Sequence, residues 1–231
     1  MTDIVCVNAY EEPPFRMDEI MRYAGAGGSG QEDILLLAEE CADLVRGRLS
    51  YRVCWREFPV TFDGTDVDLG FARTDSASLR RHLAGCSRIV LFAATVGLEM
   101  DRLMTRCSAL SITRALMLQA IGTERIEALC DLFCGDVSCR IAGEGGQTRP
   151  RFSPGYGDLP IELQRDIFRV LDCPRKIGLT LNENLLMFPS KSVTAIIGVG
   201  KNEKGVSAAS GCAACAKNGC PYRKEQLHEN H

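Results

Sequence analysis

The sequence predicts an α+β fold, a mainly antiparallel sheet packed with helices. Three observations carry that prediction. Strand-like and helix-like segments mix without the regular alternation of a doubly wound sheet. Two apolar runs, 88–95 and 192–199, read as strands buried on both faces. A long helical segment, from about Leu110 to Phe133, carries Leu118, Ile121, Leu129 and Leu132 around its circumference and belongs at the centre of the molecule.

Taken in order, residues 1–30 read as a polar lead-in. It contains Glu12-Pro-Pro-Phe-Arg, a short helix from Met17 to Tyr23 and a glycine-rich stretch at 24–30. Residues 31–46 place Ile34, Leu37, Ala38, Cys41, Leu44 and Val45 on one helical face. Residues 51–60 are aromatic and β-branched and read as a strand. The Asp63-Gly64 turn follows, with Val67–Leu69 as the return. Ser76–Leu83 is a short helix, and another runs from Leu98 to about Arg106. Residues 135–148, with Gly143, Gly145 and Gly146, read as a loop. Pro160–Leu171 is a helix with proline in its first turn and Asp158 as its expected cap. The expected division is 1–205 as one domain and 206–231 as a Cys-rich tail.

Composition excludes several function classes. The 231 residues hold 27 Lys plus Arg against 30 Asp plus Glu, a formal charge of −3, with no basic run. That argues against a nucleic-acid binder, whose affinity rests on phosphate neutralisation. The longest apolar stretch, 89–98, is too short to cross a bilayer, and the N-terminus lacks a signal-peptide pattern. A cytoplasmic location is expected. Three histidines disfavour a His-based triad or multi-His metal site. Most of the 12 cysteines sit among apolar residues and read as small buried hydrophobes. The glycine-rich pieces fit neither a dinucleotide fingerprint nor a P-loop.

Three segments carry possible chemistry. On the long helix, Ala109, Leu116, Ala120, Thr123, Glu127, Cys130 and Cys134 share one stripe. Glu127 is the acid at its centre. A carboxylate there needs a cation or several donors: a ligand ammonium, an internal arginine, or a helix turned so that it meets water. The second segment is Arg149-Pro-Arg-Phe-Ser-Pro-Gly-Tyr-Gly-Asp158. Pro154-Gly155 predicts a type II turn whose backbone groups are free for a ligand. Arg151 can grip a carboxylate with two parallel hydrogen bonds, and Tyr156 offers a ring to a cation. The alternative is a surface loop with one exposed arginine. The third segment holds Cys212, Cys215 and Cys220 as C-x2-C-x4-C. Such thiolates suit zinc or one corner of an iron–sulfur cluster. A Cys212–Cys215 disulfide or free thiols are the alternatives.

Residues 151–158 and 178–193 (Gly-Leu-Thr-Leu-Asn-Glu-Asn-Leu-Leu-Met-Phe-Pro-Ser-Lys-Ser-Val) together resemble the activation domain of cobalamin-dependent methionine synthase. The likeness is closest to stand-alone forms with Ala93–Gly97 and terminal cysteines. It implies a domain that binds S-adenosylmethionine and docks over oxidised cobalamin. A flavodoxin- or ferredoxin-type donor then supplies an electron, and the sulfonium methyl passes to cobalt. Carried onto this chain, Arg151 would hold the ligand carboxylate and Glu127 its ammonium or sulfonium end. Ser153, Gly155 and Tyr156 would line the site, and Glu144 approximates a second acid. The chain lacks the D-x-H-x-x-G cobalamin motif, so the resemblance implies action in trans on a methionine synthase or another corrinoid protein. The rival expectation is a redox module whose C-terminal cysteines hold zinc or a cluster and donate electrons to a corrinoid.

Overall fold

The structure is a computed structural model and describes residues 4–26 and 31–201. In chain order the elements are β1 (Cys6–Tyr10), α1 (Met17–Tyr23), α2 (Gln31–Val45), β2 (Tyr51–Pro59), β3 (Thr61–Asp63), β4 (Asp66–Asp68), β5 (Arg73–Thr74), α3 (Ala77–His82) and β6 (Cys86–Thr95). Then come α4 (Glu99–Ser108), α5 (Ile112–Gly143), β7 (Gly146–Phe152), α6 (Leu163–Leu171), α7 (Cys173–Ile177), β8 (Thr180–Leu181), β9 (Met187–Phe188) and β10 (Ser192–Lys201).

The main sheet runs β1-β2-β6-β10-β7, with every neighbouring pair antiparallel. This is the α+β architecture the sequence predicts. The central strand β6 explains its unbroken apolar run. Val90, Phe92 and Ala94 point to one core, and Ile89, Leu91 and Ala93 to the other. Side chains alternate across a strand, so a strand covered on both faces must be apolar throughout. The first core lies under α1, α2, α4 and α5; the second lies under α3, α6 and α7. Among the described residues, no helix is long and apolar enough to cross a membrane.

Several expectations need correction. The lead-in contains an edge strand, β1, paired with β2. Helix α5 does not stop near Phe133 but continues to Gly143. Val137 and Ile141 keep its apolar seam going and are buried, while Gly135 faces solvent. A solvent-facing glycine costs a helix only about 1 kcal/mol. Much of the expected loop after residue 135 is therefore helix, and the next residues form β7, the far edge strand. Asp158 caps α3 rather than the helix after Pro160. It accepts from the Ser76 hydroxyl and from the Ala77 and Ser78 backbone N–H groups. The boundary at 205–206 and the tail lie outside the described residues.

The N-terminal arm is fixed to α5 by buried charge. Arg125 is fully buried, bridges Glu124 at 2.5 Å and donates to the carbonyls of Pro13 and Pro14. Its guanidinium lies 3.8 Å from the centre of the Phe15 ring. This buried pair lies within the helix itself, whereas Glu127 meets an arginine from the sheet, Arg151.

Candidate ligand-binding site

Glu127 and Arg151 come together. Arg151 sits on β7 opposite Ile197 of β10, on the sheet face that α5 covers. Its Nη2 donates to Glu127 Oε2 at 2.5 Å and lies 3.7 Å from Asp131 Oδ1. Glu127 and Asp131 are one turn apart on α5, so both face the edge strand. About a quarter of each side chain in the Arg151–Glu127 pair remains exposed. The pair therefore lies at a rim that a solute can reach.

Arg16, just before α1, closes the other side. It bonds Glu124 at 3.1 Å and Asp131 at 3.0 Å. Three arginines thus face three acids: Arg16, Arg125 and Arg151 against Glu124, Glu127 and Asp131. Burial works against the charge on Arg151, yet the neighbouring Glu127 and Asp131 carboxylates hold its pKa above the ordinary value. The same burial pushes the Cys134 thiol up to about 11, so it stays protonated at neutral pH. Tyr23 of α1 completes the wall. Burial, then the nearby Glu127 charge, raises its phenol. Arg151 Nη1 is buried and has no hydrogen-bond partner among the described residues. An unsatisfied guanidinium N–H costs free energy that an incoming carboxylate oxygen would recover.

The remaining expected residues divide. Residues 153–156 form the predicted type II turn: Tyr156 N–H donates to the Ser153 carbonyl, and Gly155 has φ of 89°. Contrary to expectation, the turn's donors are used internally, since Gly155 N–H bonds the Leu159 carbonyl. Tyr156 is 60% exposed and packs edge-on against Phe152 at 6.0 Å. Phe152 points to the sheet face opposite Arg151, stacked on His82, whose ring nitrogen meets the Pro150 carbonyl at 2.6 Å. Tyr156 is therefore held on the side of the sheet away from Arg151, and Ser153 and Gly155 are bonded within their own turn. Glu144 stands apart. It ends α5 in ion pairs with Arg88 and Arg140, roughly 25 Å along the helix from Glu127. Cys212, Cys215 and Cys220 lie outside the described residues, among which no cluster of His, Cys, Asp or Glu suits a metal ion. Sequence reasoning missed Arg16, Asp131 and Tyr23. Asp131 was findable, one helical turn beyond Glu127.

An open groove of about 550 Å³ lies between α4 and Phe188. None of Glu127, Asp131 or Arg151 lines it, and its Arg102 and Arg106 are taken up by Glu99. The groove lies apart from the charged rim.

No known sequence family matches the chain. No curated protein matches it either. Among solved structures, it is similar to a MetH reactivation domain bound to AdoHcy, with a TM-score of 0.61 and 18% identity, over 87% of this chain and 79% of that one. At that identity the likeness establishes the shared fold.

Proposed function

We propose that the protein binds S-adenosylmethionine and serves as an activation protein for a corrinoid methyltransferase. It would support reductive remethylation of the cobalamin of a methionine synthase, or a related enzyme, acting in trans. The observation that carries this reading is the Arg151–Glu127 pair at the sheet edge, with one guanidinium nitrogen still unpartnered. Support comes from the fold it shares with a MetH reactivation domain whose structure holds AdoHcy.

The electrostatics suit a zwitterion. An amino-acid carboxylate would take Arg151, and its ammonium would take Glu127 or Asp131. One ion pair is exchanged for two, and the net charge of the ligand's amino-acid end is zero. The ligand supplies a sulfonium methyl for a partner's cobalt. This chain's residues bind and orient it, and none is required as a general acid or base. Their contribution is positioning, which supplies rate by removing orientational freedom.

Calorimetric titration of S-adenosylmethionine into the protein and into Arg151→Ala tests the reading. Strong binding by the wild type and a marked loss of affinity in the variant are expected. Equal heats, or none from either protein, would remove it.

A further inference from the structure

Lys191, just before β10, is 92% buried by its relative exposure of 8%. Its amino group donates to Thr123 Oγ1 at 2.9 Å and makes no ion pair among the described residues. Thr123 in turn donates to the Gln119 carbonyl. An ammonium has three donors, so this one keeps capacity to spare. The fold makes room for it. A Cβ on Gly122 would stand 2.9 Å from Lys191 Cε and 3.0 Å from its Cγ, so the lysine stem crosses α5 where the helix has no side chain.

Thr123 lies one turn before Glu127 on the same helical face, about 6 Å along the axis. Strand β7 pairs with β10 only from Ile196 onward. Toward the C-terminal end of α5, β7 closes this face, with Ser138 bonded to Thr148. In the other direction, residues 192–195 of β10 pair with β6 on one side, and β7 does not extend along their other side. Thr123 and Glu127 are both only partly buried, so the line from Arg151 toward Lys191 follows a partly exposed face of α5.

We propose that Lys191, held by Thr123 across Gly122, is a second anchor of the same cleft and donates hydrogen bonds to the nucleoside end of the ligand. This rests on the reading above, in which Arg151 and Glu127 take the amino-acid end. The nucleoside offers what an ammonium needs, ribose oxygens and adenine ring nitrogens as acceptors. The two basic residues thus divide the ligand between them, with Glu127 between two cationic groups.

The test uses S-adenosylhomocysteine and 5′-methylthioadenosine, which keeps the nucleoside but lacks the amino acid. Both are titrated into the wild type, Lys191→Met and Arg151→Ala. Methionine preserves the stem over Gly122, and circular dichroism confirms that each variant is folded. Lys191→Met is expected to weaken both ligands about ten-fold, the worth of a charge-assisted hydrogen bond. Arg151→Ala is expected to weaken S-adenosylhomocysteine only. Unchanged affinities in Lys191→Met, or a loss confined to S-adenosylhomocysteine, would overturn the anchor and leave the Arg151 site standing. A wild type that binds neither ligand would overturn both.

Discussion

Arg151 of the edge strand and Glu127 of the central helix meet at 2.5 Å across 24 residues of sequence. Their contact is a partly exposed ion pair, and such pairs add about 0–1 kcal/mol to stability. Their positions therefore matter more for binding than for folding. Arg151→Ala should leave the unfolding free energy from urea denaturation within about 1 kcal/mol of wild type while strongly weakening S-adenosylmethionine binding. Glu127→Gln should behave differently: Arg151 is released for a carboxylate, but the ligand ammonium loses its partner. A measurable, weakened affinity is expected, read by calorimetry beside the alanine variant.

The buried pair one turn earlier obeys the opposite logic. Arg125 and Glu124 have no exposed side-chain surface. Removing Arg125 leaves the buried Glu124 with only the partly exposed Arg16 to offset its charge, and breaking a buried pair costs up to about 3–5 kcal/mol. Arg125→Met should therefore lower stability severely, and it should release the arm held through Pro13, Pro14 and Phe15. Glu124→Leu combined with Arg125→Met should recover part of the loss, because no half-compensated acid is left in the core and Arg16 keeps Asp131. Urea denaturation of the three proteins decides the order.

How much of this is legible in the sequence depends on range. Glu127 stands out because a helical stripe is a local pattern, and Arg151 because it precedes a proline-glycine turn. The strand carrying Arg151 does not stand out: Gly146-Gln-Thr-Arg-Pro-Arg-Phe lacks clean alternation and contains Pro150. Only an edge strand tolerates proline, and edge status is a property of the assembled sheet. The pairing of Arg16 with Asp131 spans 115 residues and leaves no local trace. Lys191 hides for the same reason. A lysine ahead of an apolar strand reads as a solvent-facing end, and only the packing of α5 over β10 buries it.

Asp158 supplies a pH-dependent link between the turn after β7 and α3. The Ser76 hydroxyl first, helped by the Ser78 and Ala77 groups, holds its carboxyl down to about 2 against the opposing effect of desolvation. The unfolded value is about 3.9. A depressed carboxylate contributes stability that is complete above the unfolded pKa and fades as pH falls through the folded one. Wild type should therefore lose stability between about pH 4 and pH 2 more steeply than Asp158→Asn, which cannot titrate. Thermal melts across that range check the difference in slope, and parallel curves would refute it.

Lys191 should give the mirror image at alkaline pH. Desolvation lowers its pKa to about 8, with Asp101 opposing the fall. The unfolded value is about 10.4. Between the two, the unfolded chain binds more protons than the folded one, so stability rises with pH across the window. The burial penalty is complete below about pH 8 and is relieved by about pH 10. Lys191→Met carries no such penalty, because a buried charge has been replaced by an apolar chain of similar shape. The variant should melt above wild type at pH 7, and the gap should close by pH 10. A gap that stays constant over that range would mean that Lys191 keeps its proton in the fold, and that its amino group is better solvated than its burial implies.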